Sequence, residues 1–363
     1  MWTMAGLGQP RQRTVMNTPQ SPPPPAPPTP VTPITDGHTA IRAPQPGDAA
    51  ILIAGRDPAF KRFLGEGSPD PRPSACILAR NRIIGWVDYD PEPDWLEPGE
   101  VNVGYNVFAA HRGRGHASRA VMLLMHHLAL HGVHRAAVLL IRRDNDDSLA
   151  LARRLGFDET GTRDDSIGFK RSVPPLSYTD GTVTIRRRET SDLDEDLAAK
   201  DAEQQRWLWM PEDREAWRTM DPREQRAHAL RVLEDNHRTF GQGPKWTFSV
   251  DATDATNVAC VDCDLANDSL RGEGVPFGEA NISYASHPAH RGRGYVSRAV
   301  HLVIRFLAGH TAARTAHFVI ETENEASLRV ARSLEARLRS RFINEEGNRM
   351  CHFEVPIERT TTL

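Results

Sequence analysis

Cysteine is scarce. The 363-residue chain has four, Cys76, Cys260, Cys263 and Cys351. That is too few for a disulfide-built scaffold and suits a reducing compartment, so a cytoplasmic protein is expected. Cys260 and Cys263 form a lone CxxC with no second pair to complete a zinc site. With Val258, Ala259, Val261 and Leu265 around it, the segment reads as a strand, and no metal is expected. No apolar run reaches the roughly 18 residues of a membrane-crossing helix. The first residues lack a charged segment followed by a long apolar core, so no secretory signal is expected either. A strong excess of either charge is also missing. A net charge of −3 is too mild to point to nucleic acid. Lysine is nearly absent, at Lys61, Lys170, Lys200 and Lys245 alone, with arginine taking its place as in GC-rich genomes.

What is present describes a soluble globular protein: 26% charged and 39% hydrophobic residues, over a length that suits two domains. Residues 1–36 read as a tail, because the proline run from Pro22 to Pro30 can build neither a helix nor a ladder. The first domain is expected over 37–173 and the second over 179–363. Pro174 and Pro175 mark a linker over 174–178.

The chain then repeats itself. His111-Arg112-Gly113-Arg114-Gly115-His116-Ala117-Ser118-Arg119-Ala120-Val121 returns 179 residues later as His290-Arg291-Gly292-Arg293-Gly294-Tyr295-Val296-Ser297-Arg298-Ala299-Val300. Asn145-x-x-Ser148 returns at the same offset as Asn324-x-x-Ser327. Two motifs at one fixed spacing indicate two copies of a whole fold. Val101, Val103, Tyr105 and Val107 alternate as a strand before the first loop, matched by Ala280, Ile282 and Tyr284. After the loop Ala117, Ala120, Val121, Leu124, Met125 and Leu128 fall at helical spacing, and Val296 to Leu307 repeat them. Short apolar strands follow at 136–141 and 315–320. The expected class is α/β, a mixed sheet twice over.

A strand that runs through Arg-x-x-Gly-x-small into a helix suits a diphosphate. The glycines let successive amides face one concavity, and the helix start adds free donors and a positive dipole end. A dinucleotide fold is disfavoured, because no third glycine stands at the needed place and no acidic strand end follows about 20 residues on.

On these residues the chain resembles the GNAT superfamily of N-acetyltransferases over both halves. The resemblance implies acetyl-CoA, or another acyl-CoA, as donor. It implies that Val107 and Phe108 in the first copy, and Ser286 and His287 in the second, lie by the thioester. The amides of Arg112, Gly113, Arg114, Gly115, His116, Ala117 and Ser118 would hold the diphosphate, as would those of Arg291, Gly292, Arg293, Gly294, Tyr295 and Val296. Asn145 and Asn324 would bond the pantetheine arm. Tandem members occur in actinomycetes, one type in the clavulanic-acid cluster, and the lysine-poor composition suits that source.

Many members place a tyrosine seven residues after the Asn as acid for the leaving thiolate. Ala152 and Ala331 stand there, which leaves Ser148 or water for that task. Glu100 and Glu279, again 179 apart, are the candidate bases. The second copy has Val296 for Ala117 and Leu334-Glu335-Ala336 for Leu155-Gly156-Phe157, so its glycine helix stop is lost and the first copy is expected to hold the donor better. Trp207, Trp209 and Trp217 fall where the superfamily places its acceptor lid. The expected acceptor is a small amine, for instance an antibiotic intermediate, or a peptide N-terminus. The rival expectation is a non-catalytic acyl-CoA binder.

Overall fold

The computed structural model describes residues 33–267 and 274–359. The proline run lies outside them. Each half is an eight-stranded sheet with helices on its faces. The first contains β1 (Ile34–Thr35), β2 (Ala40–Arg42), α1 (Asp48–Ala54), α2 (Pro58–Leu64), β3 (Ala75–Ala79), β4 (Arg82–Asp90) and β5 (Glu100–Val107). It continues through α3 (His116–His131), β6 (Ala136–Arg142), α4 (Asp146–Arg154), β7 (Asp158–Arg163) and β8 (Ser166–Ser172). The second contains β9 (Tyr178–Thr179), β10 (Val183–Arg187), α5 (Leu193–Ala199), α6 (Ala202–Leu208), α7 (Pro211–Thr219), α8 (Pro222–Thr239), β11 (Lys245–Ala252) and β12 (Ala255–Asp264). It ends with β13 (Ala280–Ser286), α9 (Tyr295–His310), β14 (Thr315–Glu321), α10 (Glu325–Ser333), β15 (Arg337–Ile343) and β16 (Arg349–Pro356).

The strand orders are β1-β2-β3-β4-β5-β6-β8-β7 and β9-β10-β11-β12-β13-β14-β16-β15, so the copies share one topology. Ile34 and Thr35 were expected in the tail but pair with Ile41 and Ala40, because Ile34 has an apolar core to enter. Cys260 and Cys263 lie in β12, and all four thiols are free. Among the described residues no group of His, Cys, Asp or Glu is placed to hold a metal, and no helix is long and apolar enough to cross a membrane.

One feature of each sheet positions the site. Neighbouring strands run antiparallel except β5 beside β6 and β13 beside β14. The first parallel pair holds register only from Glu100 opposite Ala136 to Asn102 opposite Val138. The second holds it only at Ala280 opposite Ala316 and Asn281 opposite His317. Beyond these points the strands part, and unpaired backbone edges face each other across a wedge.

The helical spacing after the first loop predicts a single apolar face. In the structure α3 also buries Met122, Leu123, His126 and His127. The reason is that α3 packs against its own sheet on one side and against α9 on the other. His126 Nδ1 lies 2.9 Å from His310 Nδ1, and His310 Nε2 lies 2.9 Å from the Pro175 carbonyl. The carbonyl only accepts, so His310 Nε2 carries the proton and His126 donates to His310. The rings of Phe240, Trp246 and Phe306 surround His126. Thr35 N–H donates to the Gln242 carbonyl at 2.8 Å, and Arg171 donates to the Ala308 carbonyl at 2.8 Å. The halves are therefore joined through a packed, hydrogen-bonded seam.

Candidate active site

Each wedge opens into a cavity, of about 780 Å³ in the first half and about 620 Å³ in the second. The first lies between Val103–Val107 of β5 and Leu139–Arg142 of β6, and the starts of α3 and α4 face it. The second is built the same way from β13, β14, α9 and α10. The glycines shape the rim. Gly113 and Gly115 have φ of +73° and +81°, Gly292 and Gly294 have +74° and +75°, and a Cβ on any of the four would meet nothing within 4 Å. Glycine is required here for its backbone angle, not for close packing, and the space above it is open. Neither α3 nor α9 has a side-chain cap on its first turn, so its leading amides point at the cavity without an internal partner.

All of Arg112, Gly113, Arg114, Gly115, His116, Ala117 and Ser118 line the first cavity, together with Val107, Asn145 and Ser148. In the second, Arg291, Gly292, Gly294, Tyr295, Val296 and Asn324 do so, and Arg293 does not. Asn145 Oδ1 accepts from Ser148 N–H at 3.3 Å, and Asn324 Oδ1 from Ser327 N–H at 3.0 Å. Each carbonyl oxygen thus caps a helix, which leaves the amide NH₂ for a ligand. His116 turns to Thr39 Oγ1 at 2.9 Å and stacks on His38. Burial lowers its pKa to about 4, so the ring is neutral.

Several expected roles do not fit. The Phe108 N–H donates to the Ile84 carbonyl at 2.8 Å and its ring sits against Gly55, outside the cavity lining. The His287 N–H donates to the Val258 carbonyl at 3.0 Å, and its ring is likewise outside. Neither amide is free for a thioester. Arg112 donates to both Asp57 oxygens at 2.7 and 2.9 Å and to the Val107 carbonyl at 2.8 Å. Arg291 donates to both Asp201 oxygens at 2.7 and 2.8 Å. Asp57 and Asp201 are the N-caps of α2 and α6, so both arginine side chains tie the glycine loop to a helix start while their amides stay with the loop. Arg119 is paired with Asp36 at 2.7 Å.

The candidate bases are also engaged. Glu100 sits at the closed end of the wedge, away from the cavity, 2.5 Å from Lys170 Nζ. Glu279 lines the first half's cavity instead of its own, and its Oε2 accepts from the amides of Arg314 and Thr315 at 2.6 and 2.8 Å. Sequence reasoning missed Glu321, at the end of β14. It lines the second cavity, and burial raises its pKa. It also gave Tyr105 and Tyr284 only a strand role. Both line their cavities, with hydroxyls toward Ser148 and Ser327. The Tyr105 hydroxyl is buried, and burial raises its pKa while Ser148 opposes the shift. Tyr284 donates to the Ser327 carbonyl at 3.3 Å. The offset of 179 between the tyrosines was the available signal.

Of the three tryptophans, Trp207 lines the second cavity. Trp209 and Trp217 pack edge to face 5.4 Å apart, outside its lining. Val296 turns mostly into the core beside Ala299 and Val300. The helix stop expected to be lost in the second copy persists. Glu335 takes φ +53° where Gly156 has +74°. The N–H of Glu335 donates to Arg332 and that of Ala336 to Ala331, as Gly156 does to Arg153 and Phe157 to Ala152.

Residues 51–157 match the acetyltransferase (GNAT) family, and residues 182–337 match the acetyltransferase (GNAT) domain. No curated protein matches the chain by sequence. Among solved structures, RimL, a ribosomal alpha-N-protein acetyltransferase in complex with coenzyme A, is 15% identical. It covers 50% of this chain and 98% of its own, with a TM-score of 0.41. A GNAT-family acetyltransferase from Bacillus anthracis is 13% identical over 50% of this chain and 99% of its own, with a TM-score of 0.37. Mycobacterium smegmatis RimJ in complex with CoA-disulfide is 15% identical over 48% and 82%, with a TM-score of 0.38. With one family match in each half and the same wedge, glycine loop and helix start behind both, the chain belongs to the GNAT acetyltransferases, a family of acyltransferases, and carries two of their domains in tandem.

Proposed function

We propose that the protein is an N-acetyltransferase that uses acetyl-CoA, or another acyl-CoA, and acts on a primary amine. The observation that carries this reading is the repeated wedge. Two parting parallel strands give free backbone edges for a pantetheine arm, and an uncapped helix start behind two left-handed glycines receives a diphosphate. Cavities of about 780 and 620 Å³ are of ligand size. When bound, acetyl-CoA supplies an activated thioester. The chain's own residues then orient it and handle the protons. Ser148, beside the buried Tyr105 hydroxyl, is the donor to the departing sulfur in the first site, and Ser327, whose carbonyl accepts from Tyr284, in the second. Glu321 takes the proton of the attacking ammonium in the second site, where its raised pKa suits a base.

The first cavity has Arg142 at the position of Glu321, and Glu279 in its wall is held by two amides. That favours a second reading for this half alone, in which it binds the acyl-CoA without turnover. The acceptor is a small-molecule amine, including an antibiotic intermediate of the kind actinomycete tandem members suggest, or a peptide N-terminus. The domains are taken as 37–173 and 179–363, with the edge strands β1 and β9 extending them back to Ile34 and Tyr178. The free thiols suit the cytoplasm. The test is thiol release from acetyl-CoA across a panel of amines and N-terminal peptides. Release should depend on an amine and fall at least ten-fold in Glu321→Gln. Release with no member of the panel, in a protein that binds acetyl-CoA, leaves the binder reading for both halves.

A further inference from the structure

The first cavity is not built by the first half alone. Glu279, Ala312, Arg314 and Arg359 of the second half form part of its wall, beside Arg154 and Ser118 of the first. Arg154 ends α4 and donates to Ser118 Oγ at 2.9 Å, which ties it to the first turn of α3 behind the glycine loop. Arg359 donates to the carbonyls of Thr311 and Ala313 at 2.9 and 2.6 Å, while its Nε is buried without a partner. Among the described residues neither Arg154, Arg314 nor Arg359 has an ion pair. The carboxylate near them is Glu279, one of whose oxygens already accepts two backbone amides. Three guanidiniums against one carboxylate leave this corner positive. Burial pushes the Arg359 pKa down to about 10, with Glu279 opposing the fall and Arg314 and Arg154 adding to it. Arg154 and Arg314 are exposed and Arg359 is half-buried, so three guanidiniums that line one cavity are open to an anion arriving from solvent.

Resting on the acyl-CoA reading above, we propose that Arg154, Arg314 and Arg359 form a phosphate-monoester subsite that spans the two halves and takes the ribose 3′-phosphate of coenzyme A bound in the first cavity. The chemistry matches. The 3′-phosphate is a dianion carried on the same ribose as the diphosphate, so it lies one sugar away from the glycine loop, and Arg154 is anchored beside that loop. The second cavity has no counterpart. Position 333, equivalent to Arg154, is Ser333, whose hydroxyl donates to the Val330 carbonyl at 2.8 Å and lies 3.1 Å from Ser297 Oγ. The second half is thus part of the first half's binding site, which gives the tandem arrangement a direct role in cofactor recognition.

The experiment is calorimetric titration of the full chain with coenzyme A and with 3′-dephospho-coenzyme A. One site per chain should bind coenzyme A at least ten-fold more tightly than the dephospho form. Arg314→Ala, an exposed position, and Arg359→Ala should bring that ratio close to one while leaving dephospho-coenzyme A affinity within about two-fold. Equal affinity of the wild type for the two ligands overturns the subsite, as does a ratio that survives both substitutions. If the wild type binds neither ligand, the acyl-CoA reading itself fails. Circular dichroism of each variant separates a lost contact from a lost fold.

Discussion

His126 stands in the seam between the halves, fully buried, with Phe240, Trp246 and Phe306 around it and His310 as its hydrogen-bond partner. Burial lowers its pKa to about 4, with the Phe240 backbone opposing and His127 adding to the fall. In the unfolded chain the ring returns to about 6.5. A folded value below the unfolded one means that the unfolded state binds more protons between pH 6.5 and 4. The stability contribution is therefore whole above pH 6.5 and is lost as the pH falls through that window. At pH 5 the unfolded ring is protonated and the folded ring is still neutral. The loss from pH 7 is then about 1.5 pH units times about 1.4 kcal/mol, or about 2 kcal/mol for this residue. His310 is shifted the same way, with burial as the largest cause and His126 adding to it. Urea unfolding at pH 7 and pH 5, read by the fluorescence of Trp246 and its neighbours, measures this loss. His126→Phe should be less stable at pH 7, because His310 Nδ1 loses its donor. It should also lose about 2 kcal/mol less than the wild type on going to pH 5. Equal losses in the two proteins would refute the assignment.

The remaining predictions are structural checks on the two copies. Glu335→Gly removes a left-handed non-glycine residue, which costs about 1–2 kcal/mol, against about 0.5–1 kcal/mol of added chain entropy. The variant should gain about 0.5–1 kcal/mol in urea, and Gly156→Ala should lose a similar amount. Asp57→Ala and Asp201→Ala each remove an N-cap and the partner of a loop arginine. Each should cost about 1–2 kcal/mol and speed amide exchange in the glycine loop of its own half only.

The fold was readable where chemistry is local. The glycine loop, its helix and the Asn-x-x-Ser cap form from neighbouring residues, so their repetition exposed both copies and both cradles. What was hidden came from partners distant in the chain. Glu100 is an open candidate base until Lys170 arrives from β8, and Glu279 until the amides at Arg314 and Thr315 hold it. Arg112 and Arg291 look like free charge until Asp57 and Asp201 take them up. The second apolar face of α3 was present in Met122 and Leu123, but a single helix reveals no reason for it without α9. The left-handed Glu335 shows the converse. The hydrogen-bonding pattern of a helix stop outlasts its glycine, with Leu334 still buried in the core beside it.

The central claim is that both glycine loops are working cradles for an acyl-CoA. Native mass spectrometry of the full chain with acetyl-CoA tests it most directly. Two bound molecules per chain are predicted, with one lost in Gly115→Val, one in Gly294→Val and both in the double variant, because a branched side chain at a left-handed position both strains the loop and fills it. A wild type that carries no acetyl-CoA, or a double variant that still carries two, would contradict the account.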